Sequence, residues 1–203
     1  MKIKKLLKKD YKKAAYFAIK GMHLNRYVQN PLLLNLYGRY FLYLELNRAT
    51  RVLAAYDEDD QLAGLLLAEI YGEIPRWCSL GKRIYVKVFD VLQHMVAGSG
   101  VGIYDYVNQK MYQEYRKNHR PDGEILFLAA NPNSHRKGVG SLLLAELEKK
   151  TSGIELFLYT DSSCTWQFYE HRGFERFSTE AVEMEIEKRK VPLECYLYYK
   201  IIS

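Results

Sequence analysis

No stretch of this chain approaches 18 uninterrupted apolar residues, so no membrane span is expected. The richest run, 31–46, is broken by Asn35, Arg39 and Glu45. Cysteine is scarce. Cys78, Cys164 and Cys195 form no C-x-x-C and leave one thiol over, which points to a reducing cytoplasm and away from a zinc site. The N-terminal lysines are not followed by a sustained apolar segment, so a secretory leader is not expected. G-x-S-x-G, H-E-x-x-H and carboxylates at metal-ligand spacing are all missing, so no metal site is expected. So are the P-loop run G-x-x-x-x-G-K-[ST] and the three-glycine dinucleotide fingerprint. Gly98-Ser-Gly-Val-Gly102 has neither spacing and follows a helical pattern; it reads as a helix break.

What is present fits a folded domain. The apolar share of 48% beside 27% charged residues is that of a soluble globular protein. A chain of 203 residues reads as a single domain, 1–203, with an insertion at about 72–120. The net charge of +6 is concentrated at the start, where 1–13 holds seven lysines and one aspartate. Such an arm could meet nucleic acid or an anionic membrane face, but a solvated face of a first strand and helix is the commoner reason for it. Neither nucleic acid nor membrane is the expected partner.

The pattern predicts a strand at 2–7, a helix at 11–20 capped by Asp10, and a helix at 31–47 opened by Asn30-Pro31. A hairpin follows at 51–56 and 62–71 around Asp57-Glu-Asp-Asp-Gln61. Helices are expected at 84–97 and 103–118, then a strand at 124–130 that Pro132 stops. A helix at 137–151, a strand at 154–160, a helix at 162–171 and strands at 174–186 and 194–201 complete an α/β mixed sheet of about seven strands.

The most informative segment is Glu124-Ile-Leu-Phe-Leu-Ala-Ala-Asn-Pro-Asn-Ser-His-Arg-Lys-Gly-Val-Gly-Ser141. A strand, a proline stop and a glycine-bearing basic turn open a helix, whose first N–H groups lack intrahelical partners and carry about half a positive charge. Gly138 and Gly140 leave an anion free access to those groups. A diphosphate is the natural guest.

This segment resembles motif A of the GNAT superfamily of N-acetyltransferases, [Q/R]-x-x-G-x-[G/A] after a strand, with His135 where glutamine or arginine is usual. About thirty residues on, Phe168-Tyr169-Glu-His-Arg-Gly173-Phe174 resembles the family's next signature. The resemblance implies a sheet splayed between its fourth and fifth strands, and acetyl-CoA as cofactor. It places the diphosphate on His135, Arg136, Lys137, Gly138, Val139, Gly140 and Ser141. The pantetheine arm would lie along Leu128, Ala129 and Ala130, helped by Ser162, with the Ala130 N–H as thioester-oxygen donor. The implied reaction is acetyl transfer to a primary amine by direct attack in a ternary complex. The alternative is a non-catalytic acyl-CoA-binding or sensor protein on the same fold.

An alkyl ammonium of pKa near 10 must lose a proton, at a cost of about 4 kcal/mol at pH 7. A desolvated carboxylate can offset part of that, and Glu124 is the candidate, with Glu69 and Glu73 as rivals. Glu124 lies six residues before Ala130, hence on the same face if no bulge intervenes. Tyr169 stands where the family places the hydroxyl that protonates the departing thiolate. Cys164 reads as packing rather than as a nucleophile. The acceptor is a small-molecule or protein amine, and the insertion is either a lid over it or a surface for a homodimer.

Overall fold

The computed structural model describes the chain except residues 27, 29, 97–101, 134–136 and 187–188, with backbone alone for 93–96, 184–186 and 189. The strands are β1 (Lys2–Lys4), β2 (Arg51–Tyr56), β3 (Leu62–Ile70), β4 (Gly123–Ala130), β5 (Glu155–Asp161), β6 (Glu175–Ile186) and β7 (Arg189–Ile201). They form one seven-stranded sheet in the order β1-β2-β3-β4-β5-β7-β6. Every neighbouring pair is antiparallel save β4 and β5, which are parallel.

The helices are α1 (Tyr11–Gly21), α2 (Pro31–Arg48), α3 (Leu80–Val96), α4 (Ile103–Asn118), α5 (Val139–Lys150) and the single turn α6 (Gln167–Glu170). Asn30 caps α2 by accepting from the N–H groups of Leu32 and Leu33, and Pro31 fills the first helical position, where no N–H is needed. α1 and α2 cover one face of the sheet, with Phe17, Leu42 and Leu46 over Leu65, Leu67 and Phe127. α5 covers the other, packing Val139, Leu143 and Leu147 on Leu66, Ala68 and Leu158.

The insertion is helical, as its periodicity requires, but its two helices differ in role. α3 lies on α2, stacking Phe89 on Tyr40, whose hydroxyl donates to Asp90 at 2.6 Å. Its outward row, Leu80, Ile84, Val88 and Val91, is exposed. α4 is part of the core. Met111 and Tyr115 are buried over Phe157 and Leu197, the Tyr115 hydroxyl donates to Glu155, and His119 Nδ1 lies 2.9 Å from the same carboxylate. Phe157 is the parallel neighbour of Glu124, which reaches α2, so α2 and α4 share a face. The glycine run 98–102 falls outside the described residues apart from Gly102.

Several expectations are corrected. β1 ends at Lys4 rather than 7, and α3 begins at Leu80 rather than 84. Asp10 accepts from the Tyr56 hydroxyl instead of capping α1. Two further boundaries move. The helix expected at 162–171 shrinks to α6, because Asp161 Oδ1 accepts from the Ser163 N–H and hydroxyl at 2.8 and 2.6 Å and holds a turn instead. β7 begins before Pro192. β5 borders it only from Cys195 onward, so one edge is open there and tolerates a residue without an N–H.

Gly64 fixes the spacing between sheet and α5. A Cβ there would lie 2.5 Å from Val139 Cγ1 and 3.1 Å from the Ala129 carbonyl. Gly64→Ala is therefore expected to cost about 1–3 kcal/mol through overpacking, seen as a fall of roughly 2–10 °C in Tm. An unchanged thermal midpoint would show that α5 shifts freely.

Candidate active site

β4 and β5 pair only at Gly123–Leu156 and Glu124–Phe157; beyond that point β4 pairs with β3 alone. The sheet is therefore open along the rest of β4. The Asn131 N–H donates to Ala63 O at 2.7 Å, and Ala130 is the partner of Gly64. Alternation then turns the N–H groups of Ala129 and Phe127 toward β3, and those of Ala130 and Leu128 into the opening.

A bulge corrects one expectation. Leu67 faces Phe127 and Ala68 faces Ile125, so Leu126 has no partner on β3. The extra residue shifts the side-chain alternation. Ala130 lies opposite Gly64 on the α5 face, whereas Glu124 reaches Arg48 of α2 on the other. Glu124 and Ala130 do not share a face.

α5 starts at the end of this opening. Gly138 adopts φ +84°, where an L side chain is strained, and an added Cβ would meet nothing within 4 Å. The first helical bond runs from the Leu142 N–H to Gly138 O at 2.9 Å, leaving the N–H groups of Val139, Gly140 and Ser141 outside the helical ladder. Val139 buries its side chain, Gly140 faces the Phe168 ring and Lys137 is exposed. The Ser141 hydroxyl is held by Arg172, a cation at this turn that the motif did not single out. His135 and Arg136 lie outside the described residues.

Tyr169 packs its ring against Phe168, Phe174 and Tyr198. Among the described residues its hydroxyl has no hydrogen-bond partner. Burial, then the nearby Cys164, holds its pKa well above the ordinary phenol value. The Cys164 thiol lies 3.7 Å from Gly21 O, and Gly21 abuts Ala129, so Tyr169, Cys164 and the end of β4 are brought to one place. Burial and Asp161 push the Cys164 thiol up to about 11, which removes it as a thiolate nucleophile near neutrality. Ser162 is anchored to β7. Its N–H donates to Glu194 O at 2.8 Å, and its hydroxyl accepts from the Glu194 N–H at 3.1 Å.

Glu124 has a side chain 12% exposed and is gripped by Arg48. Its pKa is raised by burial, with Arg48 opposing. Glu69 is its directly facing neighbour on β3 and accepts from Arg48 Nε at 2.8 Å. Glu45, 8% exposed, lies 3.8 Å from Arg48 Nη1, and burial pushes its pKa up to about 8 despite that cation. Glu73 is drawn toward Arg51 of β2 instead. Tyr71, Tyr112 and Tyr159 complete the wall. The Tyr71 and Tyr112 hydroxyls are 3.4 Å apart, and the Tyr159 pKa is raised by burial and then by Glu124. None of these three tyrosines, nor Arg48, carries a sequence motif; they come from the end of β3, α4, β5 and the end of α2, and only the tertiary fold brings them together.

A family model for the acetyltransferase (GNAT) family matches residues 23–174. The chain belongs to that family. Among curated proteins nothing matches it. Solved structures share the fold at low identity. One is described as histone acetyltransferase HPA2 and related acetyltransferase, from Corynebacterium glutamicum (14% identity, TM-score 0.61, covering 99% of this chain and 96% of that one). Another is NAA60 of Arabidopsis thaliana in complex with a bisubstrate analogue (15%, TM-score 0.57, 100% and 98%). A third is ribosomal-protein-alanine N-acetyltransferase from Brucella melitensis (14%, TM-score 0.54, 99% of each). This GNAT chain thus carries the family's acyl-transfer fold, and among its described residues no helix is long and apolar enough to cross a membrane.

Proposed function

We propose that this GNAT protein is an acetyl-CoA-dependent N-acetyltransferase acting on a primary amine by direct attack in a ternary complex. The observation that carries the reading is the open side of β4, with two N–H groups aimed into it and the unsatisfied start of α5 at its end. The residues fit the cofactor. Among the described residues nothing lies within 4 Å of where a Cβ at Gly138 would stand, so no side chain keeps an anion off this turn. The Leu128 and Ala130 N–H groups can pair with an amide-bearing arm. When bound, acetyl-CoA supplies an acyl group activated as a thioester.

The chain's own residues divide the remaining work. Gly138, Val139, Gly140 and Ser141 offer backbone N–H groups to the diphosphate, with Lys137 and Arg172 adding positive charge. Ala130, assigned the oxyanion role from sequence, is six residues from Glu124, or about 20 Å of extended strand. Leu128 is nearer by two residues, and its N–H also faces the opening, so Leu128 is the better donor to the charge developing on the thioester oxygen. Glu124 accepts the ammonium proton through water from the α2 and α4 face. Tyr169 donates to the departing sulfur. Burial that raises the phenol's pKa also disfavours a bare thiolate beside it, so the two groups stay matched.

The test is thioester consumption with a panel of amines, alongside the pH profile of Glu124→Gln. A base must be ionised, and Glu124 binds its proton more tightly than a free carboxylate, so the acidic limb of kcat/KM lies above pH 4.5. In Glu124→Gln that limb vanishes and the rate falls by about 10²-fold or more. An unchanged limb and rate would remove the base; no turnover with any amine, alongside tight acetyl-CoA binding, would favour a sensor.

A further inference from the structure

We propose that Arg48 is a positioning residue for Glu124: its guanidinium joins two carboxylates that strand register forces to face each other, and keeps Glu124 ionised and fixed on the α2 and α4 face beside the point where β4 and β5 part. The inference rests on Glu124 being the base.

Glu69 and Glu124 are direct partners on antiparallel β3 and β4. Like charges at such positions repel. Left alone, two close carboxylates share a proton and titrate as a coupled pair, one of them well above its ordinary range. A base that holds a proton at working pH cannot accept another. Arg48, the last residue of α2, resolves this by geometry. Its Nε donates to Glu69 at 2.8 Å, its Nη2 to Glu124, and its Nη1 is 3.8 Å from Glu45. Each guanidinium nitrogen is thus turned to a carboxylate. A planar fork can hold two carboxylates in fixed directions, whereas an ammonium is a single point charge. The other titratable groups around Glu124 are Tyr71 from β3, Tyr159 from β5 and, through Tyr71, Tyr112 from α4. Burial raises the pKa of Tyr71 and of Tyr159, so neither supplies a charge here, and Arg48 is the cation that the described residues place against this pair.

The test reads Glu124 directly and needs no acceptor. Full-length protein carrying carboxyl-¹³C glutamate is titrated by NMR as wild type, Arg48→Lys, Arg48→Met and Glu69→Gln, with the Glu124 signal assigned by its loss in Glu124→Gln. Arg48→Met is expected to raise the Glu124 midpoint by about 1–3 pH units and to split the titration into two steps. Arg48→Lys should raise it less, and Glu69→Gln should lower it below wild type. Should the methionine variant not fold, the opposite shifts in the lysine and glutamine variants still carry the test. Midpoints that coincide in all variants overturn the coupling. Wild-type turnover by Glu124→Gln overturns the base reading beneath it. A structural tie alone would alter Tm without moving the midpoint.

Discussion

Gly138→Asp is expected to abolish acetyl-CoA binding while leaving the fold intact. Gly138 has φ +84° at the start of α5, with open space where a side chain would stand. Any L side chain there is strained by about 1–2 kcal/mol, and asparagine and aspartate bear it best. The informative comparison is therefore Gly138→Asn against Gly138→Asp, nearly equal in shape and different by one charge. A carboxylate about 4 Å from a phosphate charge costs on the order of 4 kcal/mol at an effective dielectric of about 20. Calorimetry should find the aspartate variant weaker than the asparagine variant by roughly 10³-fold. Equal affinities would mean that the diphosphate does not rest on this turn.

Tyr169→Phe is expected to lower kcat by about 10²-fold or more with acetyl-CoA affinity unchanged. The change removes an oxygen with no hydrogen-bond partner among the described residues and keeps the ring contacts with Phe168, Phe174 and Tyr198, so stability should hardly alter. Because burial raises the phenol's pKa above 10, the wild-type profile should show no alkaline limb from this residue below about pH 10. The same kcat in the phenylalanine enzyme would assign the proton elsewhere. A parallel loss of affinity would make Tyr169 a binding group.

Much of the architecture could be read from local chemistry. Asn30-Pro31 announced α2, Pro132 followed the end of β4, and the glycine turn at 138 opened α5 where expected. These signals survive because each involves residues adjacent in the chain. The Arg48–Glu69–Glu124 grouping could not be read this way. It joins the end of a helix to two strands, and depends on which residue of β3 faces which residue of β4. A one-residue bulge at Leu126 was enough to invert the side on which Glu124 was expected relative to Ala130. Ser162 gains a neighbour that the motif did not announce: its hydroxyl accepts from the Glu194 N–H of β7, a strand that no spacing argument brings there.

The brief contact between β4 and β5 has a mechanical consequence. Strands β1 to β4 form one leaf and β5 to β7 another, joined at sheet level by two residue pairs near Gly123 and Glu124. A chain-like ligand lying between the leaves would act as a splint. Part of its affinity would then be consumed in stiffening the protein, and the acceptor amine would meet a firmer wall after the thioester than before it.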